Sequence, residues 1–86
     1  MSRLTVYSTG TCSICEQSKK LLQKWEIPYK EIRLDQDPSQ HRLFSEHTNG
    51  ARMVPQFLID GKWIGGFSEL TEMHMDDQLD ELMETS

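Results

Sequence analysis

Apolar and polar residues change period along the chain, and each change marks an element. Residues Arg3 to Ser8 alternate, with Leu4, Val6 and Ser8 on one face and Thr5 and Tyr7 on the other, which predicts a strand. After Thr9-Gly10-Thr11 the period lengthens. Ile14, Ser18, Leu21, Leu22 and Trp25 recur at intervals of three and four, predicting a helix from about Ser13 to Glu26. Ile27-Pro28 ends it, because proline disfavours helical backbone in the residue before it. Tyr29 to Leu34 alternates again, with Ile32 and Leu34 on one face, and predicts a second strand. Strand, helix and strand with short links make a βαβ unit, with parallel strands and a right-handed crossover.

Asp35-Gln36-Asp37-Pro38 predicts the next helix start. Asp37 suits the cap, Pro38 the first helical position, and Gln40 completes a capping-box spacing. This helix presents Leu43, Phe44 and His47 and ends near Asn49-Gly50, where glycine tolerates left-handed backbone. His47 is a ligand, a base, or a half-buried helix histidine beside Phe44. Phe57-Leu58-Ile59 predicts a buried strand, and Asp60-Gly61 a two-residue hairpin turn that returns Trp63-Ile64 antiparallel to it. Gly65-Gly66 ends that strand. Ser68 is then placed to cap a short helix with Glu69 and Glu72 in its first turn and Leu70 and Met73 inward. Asp76-Asp77 restarts a last helical turn or two carrying Leu79, Leu82 and Met83. The order β-α-β-α-β-β-α predicts an α/β fold. Its parallel pair and hairpin join in a four-stranded mixed sheet with helices on both faces, the minimal thioredoxin architecture.

Composition narrows the function. A chain of 86 residues with 36% hydrophobic and 27% charged residues reads as one small globular domain, residues 1–86. No apolar run approaches the roughly 18 residues of a membrane span. The start, Met1-Ser2-Arg3-Leu4-Thr5, lacks signal-peptide architecture, so the expected location is the cytoplasm, with no membrane partner. A net charge of −5 and the want of a basic block argue against nucleic acid. In a reducing cytosol, a lone close-spaced cysteine pair points to catalysis rather than to a structural staple.

That pair is Cys12-Ser13-Ile14-Cys15, set where the first strand turns into the first helix. Cys12 falls at the helix N-terminus, where free backbone N–H groups and the macrodipole favour an anion such as a thiolate. Cys15 lies one turn inward, placed to attack a mixed disulfide on Cys12. Two other readings use the same spacing. A zinc site needs four ligands, and neither a second cysteine pair nor a matching spacing of His41, His47 and His74 supplies them. Two small buried core residues are the other reading.

Four landmarks together resemble the glutaredoxin family: Tyr7 to Cys15, Val54-Pro55-Gln56, Asp60-Gly61-Lys62-Trp63-Ile64-Gly65-Gly66, and Leu79-Asp80-Glu81-Leu82. They span about Leu4 to Met83. The resemblance implies a monomeric dithiol oxidoreductase that uses glutathione as co-substrate and acts on disulfide-bearing or glutathionylated proteins. Cys12 would be the nucleophile and Cys15 the resolving thiol. Pro55 would be a cis-proline facing them, and Val54 would pair its backbone with glutathione. Gly66, Phe67, Ser68 and Glu69 would hold the γ-glutamyl end, in keeping with a helix N-terminus that suits a carboxylate. Lys19 would meet the glycyl carboxylate or steady the thiolate, unless it is one more solvated helix lysine.

The chain departs from the family pattern at Thr9, where many members carry lysine, at Ser13-Ile14 between the cysteines, and at Met53. Arg52 is a second source for the missing charge. These departures keep two further readings open. One is a glutaredoxin-like hydrogen donor reduced by thioredoxin reductase. The other is a metal-binding module, including a [2Fe–2S] cluster bridging two chains through Cys12 and two glutathiones, since family members with serine after the first cysteine are among those that hold one.

Overall fold

The computed structural model describes residues 3–79. Strand β1 (Leu4–Ser8) runs parallel to β2 (Tyr29–Arg33), with Leu4 opposite Tyr29 and Ser8 opposite Arg33. On its other side β1 pairs antiparallel with β3 (Gln56–Ile59), with Leu4 opposite Ile59 and Tyr7 opposite Gln56. Strand β4 (Lys62–Gly65) closes the sheet against β3, so the order is β2-β1-β3-β4. Asp60 and Gly61, at φ 53° and 81°, both take the left-handed backbone that a two-residue turn requires between twisted strands.

Because β1 and β3 are the central strands, both of their faces are covered. Leu4, Val6 and Phe57 pack against Leu22 of helix α1 (Ser13–Lys24) and Leu70 of helix α3 (Phe67–Met75). Tyr7, Leu34 and Leu58 pack on the opposite face against Phe44 of helix α2 (Gln40–His47). The alternation in β1 therefore sorts its residues between two cores rather than between core and water. The thioredoxin-like arrangement expected from the pattern is the one observed.

Boundaries shift where side chains or turns take over from periodicity. Helix α1 stops at Lys24, two residues early, because Glu26 turns left-handed (φ 59°) and the Ile27 N–H reaches back to the Leu22 carbonyl at 2.9 Å. Helix α2 begins at Gln40, and Asp37 does not cap it. The Gln40 N–H donates to the Asp37 carbonyl at 3.0 Å, making a turn of residues 37–40, while the Asp37 carboxylate accepts from the Ser39 hydroxyl. At its other end Gly50 is left-handed as expected, and its N–H closes on the Ser45 carbonyl at 2.8 Å.

Of the side chains expected inward on α2, only Phe44 is buried, while Leu43 is 41% exposed. His47 is also exposed rather than half-buried. Its ring lies against Tyr7 of the central strand β1, with Nδ1 3.2 Å from the Tyr7 hydroxyl. Ser68 does not cap α3. Gly66 occupies the cap, and Glu69 Oε2 accepts the Gly66 N–H at 3.0 Å, leaving Ser68 inside the first turn. After α3 the chain makes turns instead of a fresh helix through Leu79, which is fully buried against the α1–α3 core. Leu82 and Met83 lie outside the described residues. Among the described residues no helix is long and apolar enough to cross a membrane.

Candidate active site

Cys12 is the N-cap of α1, in extended backbone at φ −97° and ψ 110°. Its Sγ accepts the Cys15 N–H at 3.1 Å, so the sulfur itself satisfies one of the free donors of the helix start. A sulfur so placed faces the positive end of the helix and is half-exposed, within reach of a substrate. Cys15, one turn inward, is fully buried. Burial, followed by its hydrogen bond with Cys12, pushes the Cys15 thiol up to about 12, against smaller opposing effects of the Thr9 backbone and the Lys19 charge. One cysteine is presented and the other is withheld as a thiol.

Across from Cys12 the Val54–Pro55 peptide is cis, and the Cys12 thiol donates to the Val54 carbonyl at 3.6 Å. Beside them runs a groove of about 370 Å³, lined by Ile14, Met53, Val54, Pro55, Gln56, Trp63 and Gly65 through Glu69. Val54, Pro55, Gly66, Phe67, Ser68 and Glu69, six residues singled out in the sequence, are thus brought to one concavity. Trp63 and Gln56 join them unforeseen. The Trp63 indole N–H donates to Gln56 Oε1 at 2.8 Å, and Gln56 Nε2 donates to the Met53 carbonyl at 3.0 Å. The Gln56 side chain is therefore a strut between the hairpin and the cis-proline segment. The Val-Pro-Gln motif contained the signal, but its partner Trp63 lies across a strand pair.

Lys19 is not in this groove. Its ammonium bridges Glu16 at 2.8 Å and Glu31 at 2.9 Å, and its side chain is only 14% exposed, so it is neither a free cation nor a solvated lysine. The hydrogen bonds it donates to Glu16 and then Glu31 raise its affinity for its proton. Glu31 also accepts the buried Ser8 hydroxyl at 2.7 Å. Burial favours the neutral carboxyl there, but Ser8 and Lys19 outweigh it and hold Glu31 below its ordinary value. The network ties α1 to β1 and β2 directly behind the cysteine turn.

A second brace lies at that turn. Asp35 Oδ2 accepts the Gly10 N–H at 3.1 Å, and the Arg33 guanidinium holds Asp35 through two bonds of 2.9 and 2.8 Å. Thr9 carries no charge to this loop, but its carbonyl accepts the Cys12 N–H at 3.4 Å. Arg52 is exposed next to Met53 and is not a lining residue of the groove. Among the described residues no group of three or more His, Cys, Asp and Glu side chains is placed to hold a metal ion. The chain presents a single half-exposed thiol, so a bridging cluster would draw its other thiolates from outside this chain.

Comparison with known proteins agrees with this geometry. The glutaredoxin family pattern matches residues 4–64. Glutaredoxin 1 of Rickettsia bellii is 34% identical over 84 residues, covering 94% of this chain and 86% of that protein. Glutaredoxin 1 of Rickettsia typhi is 31% identical over 83 residues, covering 95% and 80%. A buckwheat glutaredoxin solved in complex with glutathione superposes with a TM-score of 0.82 at 31% identity, over 96% of this chain and 77% of that one. The holo form of glutaredoxin C1 from Populus tremula x tremuloides gives 0.80 at 32% identity, over 98% and 85%. The chain belongs to the glutaredoxin family of thiol–disulfide oxidoreductases.

Proposed function

We propose that this protein is a cytoplasmic, glutathione-dependent oxidoreductase that reduces protein disulfides and glutathione mixed disulfides through Cys12 and Cys15. The observation that carries this reading is the Cys12 sulfur itself, capped by the Cys15 N–H and 3.6 Å from the Val54 carbonyl of the cis Val54–Pro55 step, which walls the neighbouring groove. The glutathione complex of the buckwheat relative supports glutathione as the occupant. Val54 and Pro55 would carry its cysteinyl unit, and Gly66 through Glu69 its γ-glutamyl end.

The chemistry is thiol–disulfide exchange. The Cys12 thiolate attacks a disulfide sulfur, a bond from Cys12 to that sulfur forms as the old S–S bond breaks, and the displaced thiolate takes a proton. With a glutathione mixed disulfide, glutathione stays on Cys12. A second glutathione thiolate then attacks its sulfur, freeing Cys12 and releasing glutathione disulfide. With a protein disulfide, Cys15 attacks the Cys12 sulfur, and the proton it gives up balances the one taken by the departing thiolate. Two glutathiones then reopen the Cys12–Cys15 disulfide. The buried Cys15 thiol becomes competent only at the second stage, when Cys12 is an electrophile rather than a competing anion.

Turnover coupled to glutathione and glutathione reductase, run beside turnover coupled to thioredoxin reductase, tests the reading. Activity in the first assay that disappears in Cys12→Ser is expected. Reduction by thioredoxin reductase alone would overturn the glutathione assignment while leaving the exchange chemistry intact.

A further inference from the structure

A second groove begins where the first ends. Phe67, the first residue of α3, lines the Cys12 groove and also a separate concavity of about 360 Å³ formed with Gln17, Lys20, Leu21 and Lys24 of α1. Positions 17, 20, 21 and 24 share one helix face, so the concavity is a strip running down α1 away from the cysteines. Its floor is apolar, made by the half-buried Leu21 and Phe67. Its rim carries two exposed lysines one turn apart.

The lysines are set apart by their adjacency: Lys30, Arg52 and Lys62 also stand outside the ion pairs among the described residues, but Lys20 and Lys24 stand one turn apart on the same groove. The protein carries 14 acidic against 9 basic residues, and the lysine and arginine ion pairs among the described residues engage Arg3, Lys19, Arg33 and Arg42. Neither Lys20 nor Lys24 takes part in one. In a chain of net charge −5, two cations left together beside an apolar strip form a local patch of the opposite sign. An acidic, partly apolar chain is the partner whose charge complements it.

We propose that this groove docks the protein substrate of Cys12 through an extended segment that lays an apolar side chain over Leu21 and Phe67 and carboxylates beside Lys20 and Lys24. The inference rests on the oxidoreductase reading and adds to it the class of substrate. Continuity through Phe67 sets the two grooves side by side, so a peptide whose glutathione lies in the first can extend along the second. A helix rises 1.5 Å per residue, which puts Lys20 and Lys24 roughly 12 and 18 Å along α1 from Cys12. An extended strand covers about 3.3 Å per residue, so the carboxylates fall roughly four to six residues from the reacting cysteine. Glutathione is too short to span that distance, and small substrates do not use the groove.

The test compares glutathionylated peptides with the full-length protein. One set carries Asp, Leu and Glu four to six residues from the cysteine, on either flank. A second has Asn, Leu and Gln there, and a third carries the acids nine or more residues away. The first set should show a kcat/KM roughly five- to tenfold above the second at low ionic strength, the range two exposed ion pairs allow. The third should match the second. The preference should collapse towards unity in about 0.5 M salt, where screening shortens the reach of exposed charges to a few ångströms. It should vanish in Lys20→Gln/Lys24→Gln and invert in Lys20→Glu/Lys24→Glu.

Turnover of the mixed disulfide of glutathione and 2-mercaptoethanol should stay unchanged in both variants, which shows that they fold and keep the basal reaction. Failure of that turnover in the wild-type protein would instead strike at the oxidoreductase reading. A preference that persists in the lysine variants would overturn the docking proposal. So would a lysine effect that appears only as altered self-association in sedimentation, which would make the strip an interface between copies.

Discussion

Asp35 accepts the backbone N–H of Gly10 from 25 residues away, and Arg33 occupies the space where a Gly10 side chain would begin. A Cβ built on Gly10 would stand 2.2 Å from the Arg33 Nη2 and 2.9 Å from the Asp35 carboxylate. The turn that leads into Cys12 is thereby held against the end of β2. Gly10→Ala should lower stability and slow Cys12 alkylation, because the arginine must leave its place. In an Arg33→Ala background the same change should cost distinctly less. Non-additivity in a double-mutant cycle of denaturation midpoints is the expected signature, and strict additivity would dissociate the two residues.

Acid should loosen this brace. Arg33, opposed in part by desolvation and helped by the Gly10 N–H, holds the Asp35 carboxyl down at about 2, below its ordinary 3.8. A carboxyl depressed in the folded state contributes stability above its unfolded value and loses that contribution as pH falls through the folded one. The brace is therefore complete at neutral pH and fades between about pH 4 and 2. Asp35→Asn should flatten the decline of stability over that interval in acid titrations followed by circular dichroism. The effect should be small, since the pair is exposed to screening.

The two cysteines should react unequally. Cys12 is presented to solvent, whereas Cys15 is buried and keeps its proton up to about 12. Iodoacetamide near pH 8 should label Cys12 alone, as read by peptide mapping; equal labelling would falsify the assignment of roles. Cys15→Ser should retain reduction of glutathione mixed disulfides and lose reduction of protein disulfides that need a second thiol. Because the folded value is raised, the buried thiol stabilises the reduced protein below about pH 9 and loses that effect as pH climbs towards 12.

Thr9 offers a gain-of-function test. Lys19 is already engaged by two carboxylates, so it does not replace a cation at position 9. Thr9→Lys should lower KM for a glutathionylated substrate with kcat little changed. An exposed ion pair is worth about 0–1 kcal/mol, so the gain should not exceed roughly fivefold. An unchanged or higher KM would show that charge at this position does not limit binding.

Gln56 is a test of groove architecture. Its amide joins the Trp63 indole to the Met53 carbonyl through two part-buried bonds. At about 0.5–1.5 kcal/mol for each bond, Gln56→Ala should destabilise the protein by roughly 1–3 kcal/mol in urea titrations. It should also raise KM for glutathione substrates more than it lowers kcat, because the wall beside Val54–Pro55 loosens while Cys12 keeps its cap. A fall in kcat alone would place Gln56 in the chemistry instead.

The order of elements, the Asp60-Gly61 turn and the seat of Cys12 at a helix start were all legible in the chain, because each depends on neighbours within a few residues. Periodicity, turn chemistry and helix termini are local properties, while the place of Pro55 rested on the family resemblance carried by Val54-Pro55-Gln56. Local signals failed where a side chain chose among several partners. Asp37 and Ser68 had the right residue types for caps, yet a turn at residues 37–40 and the Glu69 carboxylate over Gly66 took those places. Lys19 looked like a free cation near the thiolate until the parallel pairing of β1 and β2 brought Glu31 beneath it. The Gly10–Asp35 brace, the Gln56–Trp63 strut and the meeting of Phe67 with the α1 strip belong to the same class. Each joins residues from different elements, and only strand register and the crossing of α1 over the sheet decide which of many equivalent charges and amides finally meet.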